Sequence, residues 1–153
     1  MGKILSLGVS EEMIARAEAE LAVRFPDTLR SAWMQYNCNE LRGGWRVFPI
    51  FDADNPRKTA GSVVYENLKG VWGQEVMAQG LVSIADNGTG NQLVLKLTAG
   101  QAGQQIYHWS HETRKLTAWK PGLPAILAAA EKSRAQVVQL QQRFAPAPPA
   151  AAG

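Results

Sequence analysis

The segment "YHWSHE", residues 107–112, holds both histidines of the chain, His108 and His111, next to Glu112. Imidazole and carboxylate are ligand types that zinc and other transition metals accept. The helical zinc signature runs H-E-x-x-H, whereas this stretch reads H-x-x-H-E. On a strand, residues three apart point to opposite faces. His108 and His111 therefore converge only if the chain folds back after Trp109. The one cysteine, Cys38, lies far upstream and completes no ligand set. No metal site is expected.

A second stretch, "DNGTGN" at 86–91, has the composition of a phosphate cradle, an ion loop or a turn. A phosphate loop needs a lysine after its glycines, and a dinucleotide turn needs three spaced glycines opening a helix. A calcium loop needs several oxygen ligands and a closing glutamate. Here Asp86 is the only carboxylate, no lysine follows, and Gln92-Leu93-Val94-Leu95 reads as a strand. The expectation is a strand–turn–strand connection with Gly88 and Gly90 at positive φ.

Nucleophilic chemistry finds no better footing. There is no G-x-S-x-G elbow, and Cys38 reads as a small apolar residue at a helix end. No two carboxylates are spaced to share a site. The chain is therefore expected to be neither an enzyme nor a cofactor binder. What remains is aromatic and cationic: Trp45 between Arg42 and Arg46, Trp119 before Lys120, and Arg114 with Lys115. Such pairs stack on single-stranded nucleic acid or anchor protein interfaces.

Several elements must position these residues. Ser10 is a good helix cap, and Glu11 and Glu12 suit the positive end of a helix dipole. With Ile14, Ala17 and Leu21 at helical spacing, they predict a helix over 11–22. Pro26 suits the first position of a second helix, whose Leu29, Trp33 and Tyr36 form one apolar stripe. Asn37 and Asn39, which tolerate left-handed backbone, are expected to end it. "WRVFPIF", 45–51, reads as a strand that Pro49 places at an edge or bends. "DADNPRKTAG" reads as a loop. "SVVYENLKG" reads as a short helix capped by Ser62. Four strands are expected at 81–85, 92–98, 104–109 and 114–119, and short turns between them imply an antiparallel meander. Ile126, Ala130, Ser133, Val137, Leu140 and Phe144 then alternate spacings of four and three along a long helix. The fold class is α+β, with N-terminal helices, a mostly antiparallel twisted sheet of about four to six strands and a long C-terminal helix.

The chain has 153 residues, 46% hydrophobic and 19% charged, which fits one domain over 1–144 and a disordered alanine–proline tail over 145–153. Its net charge of +3 is spread along the sequence without a long run of one sign, unlike a dedicated nucleic-acid binder. The opening is too soon charged for a secretory signal, no stretch suits a membrane span, and one cysteine fits a reducing cytoplasm. Met1-Gly2-Lys3-Ile4-Leu5-Ser6 matches the N-myristoylation pattern, and chance is the favoured reading of it.

Three segments resemble the SUKH superfamily, which includes a yeast cell-wall assembly regulator and many bacterial immunity proteins. "IARAEAELAVRFPDTLRSAWMQYN", 14–37, is similar to the family's opening, with Glu20-Leu21-Ala22, Phe25-Pro26 and Tyr36-Asn37 in the places of its motifs. "GLVSIADNGTGNQLVL", 80–95, resembles its apolar strand, glycine-rich turn and next strand. "QIYHWSHE", 105–112, resembles the strand after that, and the closing helix also corresponds. Two places depart from the pattern: Ala22 stands where glycine is usual, and Asn91 where aspartate is common. The resemblance implies a cytoplasmic, non-enzymatic module that binds a cognate toxin domain and neutralises it. A regulatory scaffold of the same family is the alternative, with a nucleic-acid-binding module behind it. Because turns and strand ends present side chains outward, the expected protein-binding residues are Trp45, Arg46, Asp86, Asn91, Trp109, His111 and Glu112.

Overall fold

The computed structural model describes residues 7–144. The acylation pattern at 1–6 and the tail at 145–153 lie outside the described residues.

Helix α1 (Glu11–Leu21) starts where its capping signals place it: Ser10 Oγ accepts from the Met13 amide at 3.2 Å. It stops at Ala22, whose φ of 56° is left-handed. That backbone costs an L-residue about 1–2 kcal/mol, which is the physical reason glycine suits the position. Glu18 is buried beneath the α1–α2 corner, and its Oε2 accepts from the Phe25 amide at 2.8 Å and lies 3.3 Å from Arg30 Nε. Helix α2 (Asp27–Gln35) follows Pro26, which caps it in extended conformation. Leu29 and Trp33 enter the core, and the Trp33 indole donates to the Phe48 carbonyl at 2.9 Å.

The end of α2 differs from expectation. Neither Asn37 nor Asn39 is left-handed; among the described residues, the non-glycine ones with positive φ are Ala22, Ala99 and Arg114. Asn37 is instead buried and exchanges two hydrogen bonds with the Ile50 backbone, at 2.8 and 2.9 Å. Its amide stands in for a missing strand.

Among the described residues, six antiparallel strands form one sheet in sequence order: β1 (Glu40–Leu41), β2 (Trp45–Val47), β3 (Leu81–Asp86), β4 (Gln92–Thr98), β5 (Gln101–Trp109) and β6 (Leu116–Ala118). The strand expected over 45–51 keeps only three residues. Phe48 still donates to Ile84, but Pro49 has no N–H to continue the ladder. β5 begins at Gln101, earlier than expected, because the turn before it needs only Ala99 and Gly100 at φ 50° and 79°.

Between β2 and β3 lie α3 (Pro56–Thr59), α4 (Val63–Leu68) and α5 (Val71–Ala78). The helix reading of 62–68 holds, with Ser62 Oγ accepting from the Tyr65 amide at 3.1 Å. α3 falls within the segment read as a loop, and α5 was not anticipated. Asn67 of α4 repeats the device of Asn37, exchanging two 2.8 Å bonds with the backbone of Ser83 on β3. α4 and α5 meet where Gly73 lies so close to Glu66 that an added Cβ would stand 1.8 Å from the Glu66 carbonyl oxygen.

Helix α6 (Gly122–Phe144) closes the chain. Ile126 and Ala130 bury the start of its seam, and Ser133 donates to Asn39 Oδ1 at 3.0 Å. Farther along, Leu140 is 49% and Phe144 76% exposed, so the seam outruns the core that covers it.

Register partners place Arg46, Asp86, Gln92, Trp109 and Leu116 in one row across the sheet. Directly opposed residues share a face. On this face Trp109 packs with Val76 of α5, Leu81 and Val94. Val47, Ala85, Leu93 and Ile106 join the core that α1, α2 and α6 complete.

Candidate protein-binding surfaces

The stretch "DNGTGN" is a turn. Gly88 and Gly90 have φ of 81° and 99°. Asn87 Oδ1 accepts from the amide and the hydroxyl of Thr89 at 3.1 and 2.6 Å, so the turn's polar groups largely answer one another. Gly90 is also fixed by packing, since a Cβ there would lie 2.9 Å from the His111 ring and 3.0 Å from the Trp72 indole nitrogen.

Two arginine clusters flank this turn. On the Asp86 side, Arg46 donates to the Gly61 carbonyl at 3.1 Å. Its Nη2 alone meets two carboxylates, Glu66 at 3.4 Å and Asp86 at 3.5 Å. Burial pushes the Glu66 carboxyl above its usual range; Arg46 pulls it down less strongly, and Asp86 adds to the rise. One cation between two acids leaves a net negative charge in a half-buried place.

On the Asn91 side, His111 donates its backbone N–H to Asn91 Oδ1 at 3.1 Å, and its Nδ1 lies 2.8 Å from the same oxygen. Trp72 of α5 packs on His111 and Trp109, with ring centroids 5.1 and 6.2 Å apart. Arg114, held at φ 58°, reaches across to α5 and pairs twice with Glu75, at 2.6 and 3.0 Å. That bidentate bond holds the Glu75 carboxyl below its usual range.

The expected binding residues therefore separate. Arg46 pairs with Asp86, Asn91 pairs with His111, and Glu112 is exposed. Trp45 and Trp109 are corrections to the expectation of outward presentation. Trp45 is 7% exposed and packs edge-on against His108 at 5.7 Å, while Trp109 is fully buried and donates to Gln79 Oε1 at 3.2 Å. Strand parity, which turns Trp45 and Trp109 into the two cores, overrides nearness to a turn. His108 and His111 do not meet at one site. Among the described residues, no three His, Cys, Asp or Glu side chains gather as a metal ion requires. Nor is any described helix long and apolar enough to cross a membrane.

A surface the sequence reading missed lies between α1 and α4. This groove of about 750 Å³ is walled by Met13 and Ala17 of α1, Ile50 and Phe51 after β2, and Val64, Tyr65 and Leu68 of α4. Phe51, Tyr65 and Leu68 are each close to half exposed, and Val71 just beyond them is 78% exposed. Apolar side chains clustered in a concavity, unlike ones scattered singly, offer a surface on which another molecule can bury them. Helical spacing at 64, 65 and 68 was visible in the sequence, but it did not say which of those side chains the fold would leave uncovered.

A model of the SMI1 / KNR4 family (SUKH-1) matches residues 8–125 of the chain. No curated protein and no solved structure matches it.

Proposed function

The chain belongs to the SMI1 / KNR4 family (SUKH-1), and on that premise we propose that it is an immunity protein, which binds a cognate toxin domain and blocks it. The single observation that carries this reading is the apolar groove between α1 and α4, where Phe51, Tyr65 and Leu68 stand uncovered. Burying such side chains against a partner is the main source of affinity in protein interfaces, and a charged rim gives specificity. Arg16, Glu20, Asp54 and Lys69 supply that rim. Neutralisation needs no chemistry of the binder's own: occluding the toxin's active site, or holding it in an inactive shape, suffices. In this reading the chain acts in the cytoplasm as a single non-enzymatic domain, without cofactor.

The regulatory-scaffold alternative uses the same groove for a host protein, and a toxin gene beside this one separates the two. The nucleic-acid reading loses one of its two tryptophans, because Trp45 is buried and not available to stack on bases, while Trp119 is half-buried against the core.

The test is co-expression with the toxin encoded by the adjacent gene. The wild-type chain should rescue cells from growth arrest and co-purify with the toxin. The double substitution Tyr65→Asp with Leu68→Asp should abolish both while leaving the circular dichroism spectrum unchanged. Absence of rescue by the wild type, or full rescue by the double variant, contradicts the proposal.

A further inference from the structure

Arg114 sits as a bound ligand would. Its Nε and Nη2 meet the two oxygens of Glu75 at 2.6 and 3.0 Å, and its Nη1 donates to the His111 carbonyl. Its guanidinium carbon lies 5.6 Å from the Trp72 ring centroid and 5.9 Å from that of Trp109. A bidentate carboxylate, a carbonyl acceptor and aromatic rings are the groups by which proteins recognise a guanidinium. The residue that delivers this group is held at φ 58°, a left-handed backbone that a non-glycine residue adopts only against a cost. The site is also reachable, since the Arg114 side chain is 44% exposed and that of Glu75 33%.

We propose that Glu75 and Trp72 form an arginine-recognition site, closed in the free protein by Arg114 and opened when an arginine of a partner protein takes Arg114's place. The proposal rests on the protein-binding reading above and adds the chemistry of the partner, a protein with a protruding arginine. The exchange conserves contacts: the incoming guanidinium gains the carboxylate and the indole, and Arg114 returns to water. With a chain net charge of +3, such recognition is local and owes little to long-range attraction.

N-ethylguanidinium is the probe. Arg114→Gly vacates the site, and glycine adopts the same φ freely, so the turn is retained. By tryptophan fluorescence, R114G should bind the probe about tenfold more tightly than either the wild type or R114G/E75Q, since the internal competitor is gone. Equal binding by all three, or none by R114G, overturns the site. In the wild type, saturating probe should move the Arg114 Nε–H resonance to its free, solvent-exposed position. A resonance that stays in place overturns the exchange. Against the cognate toxin domain, R114G should bind about tenfold more tightly and E75Q about tenfold more weakly. Weaker binding by R114G would make Arg114 itself the contact and refute the displacement. If no chain binds the toxin, the immunity reading fails, while the probe measurements still decide the site.

Discussion

The two arginine clusters beside the β3–β4 turn use the same chemical groups and reach opposite electrostatic outcomes. Glu66 shares one nitrogen of Arg46 with Asp86 at 3.4 and 3.5 Å, is half-buried, and has its carboxyl raised. Glu75 has Arg114 to itself through two bonds of 2.6 and 3.0 Å, is partly exposed, and has its carboxyl lowered. Proximity to a cation does not by itself fix the sign. Desolvation opposes the charged form in both clusters; in the first it outweighs a long, shared contact, and in the second the bidentate hydrogen bonds outweigh it. An ion pair is informative here through its burial and its angles, not through its existence.

Both glutamates ride on the α4–α5 pair, so the largest perturbation of the comparison is at the joint. Gly73→Ala would drive a methyl into the Glu66 carbonyl. It should cost about 2–3 kcal/mol of stability by overpacking, read in urea denaturation, and shift both clusters together.

Next come the carboxylates themselves. The folded pKa of Glu66 lies above its ordinary value of 4.5, so folding favours its protonated form. Its contribution to stability is complete below that value and is lost as the pH rises through the folded pKa. Glu66→Gln should flatten the fall in stability above pH 4.5, measured as melting temperature against pH. For Glu75 the sign reverses: its folded pKa is below 4.5, so its contribution is present above that value and lost as the pH falls through the folded pKa. Glu75→Gln should flatten the acid side of the same profile. Two variants that bend the same limb of the profile would erase the contrast.

The smallest effect tests the strain argument used at Arg114. Ala22 shares its left-handed backbone but makes no ion pair. Ala22→Gly should therefore stabilise the chain by a few tenths of a kcal/mol, the relief of strain less the greater freedom of an unfolded glycine. A loss of stability would mean that left-handed backbone carries no cost in this fold.

Much of the architecture was legible because it is written locally. The Ser10 and Ser62 caps, the Leu29–Trp33 stripe, the meander and the glycine turn at 88–90 all follow from short-range rules, and the structure has them. What was not legible depends on partners distant in sequence. Asn37 and Asn67 look like helix terminators or solvent-facing amides until the strands they imitate hydrogen bonds for, at Ile50 and Ser83, are in place. α5 has no strong apolar period, because it packs through Gly73 on α4 and through Val76 on the sheet. Of the candidate binding residues, Asn91 and His111 lie in contact beside the turn, whereas strand parity turns Trp45 and Trp109 into the two cores. Trp72, Glu75 and Phe51 were missed since nothing nearby in sequence marks them.

The central proposal is that this chain grips a toxin domain through the groove between α1 and α4. Titration calorimetry of the purified chain against the protein encoded by the adjacent gene tests that most directly. The account predicts saturable one-to-one binding that disappears when Tyr65 and Leu68 are both changed to aspartate. Undetectable binding by the wild type, or an affinity the double substitution leaves intact, would contradict it.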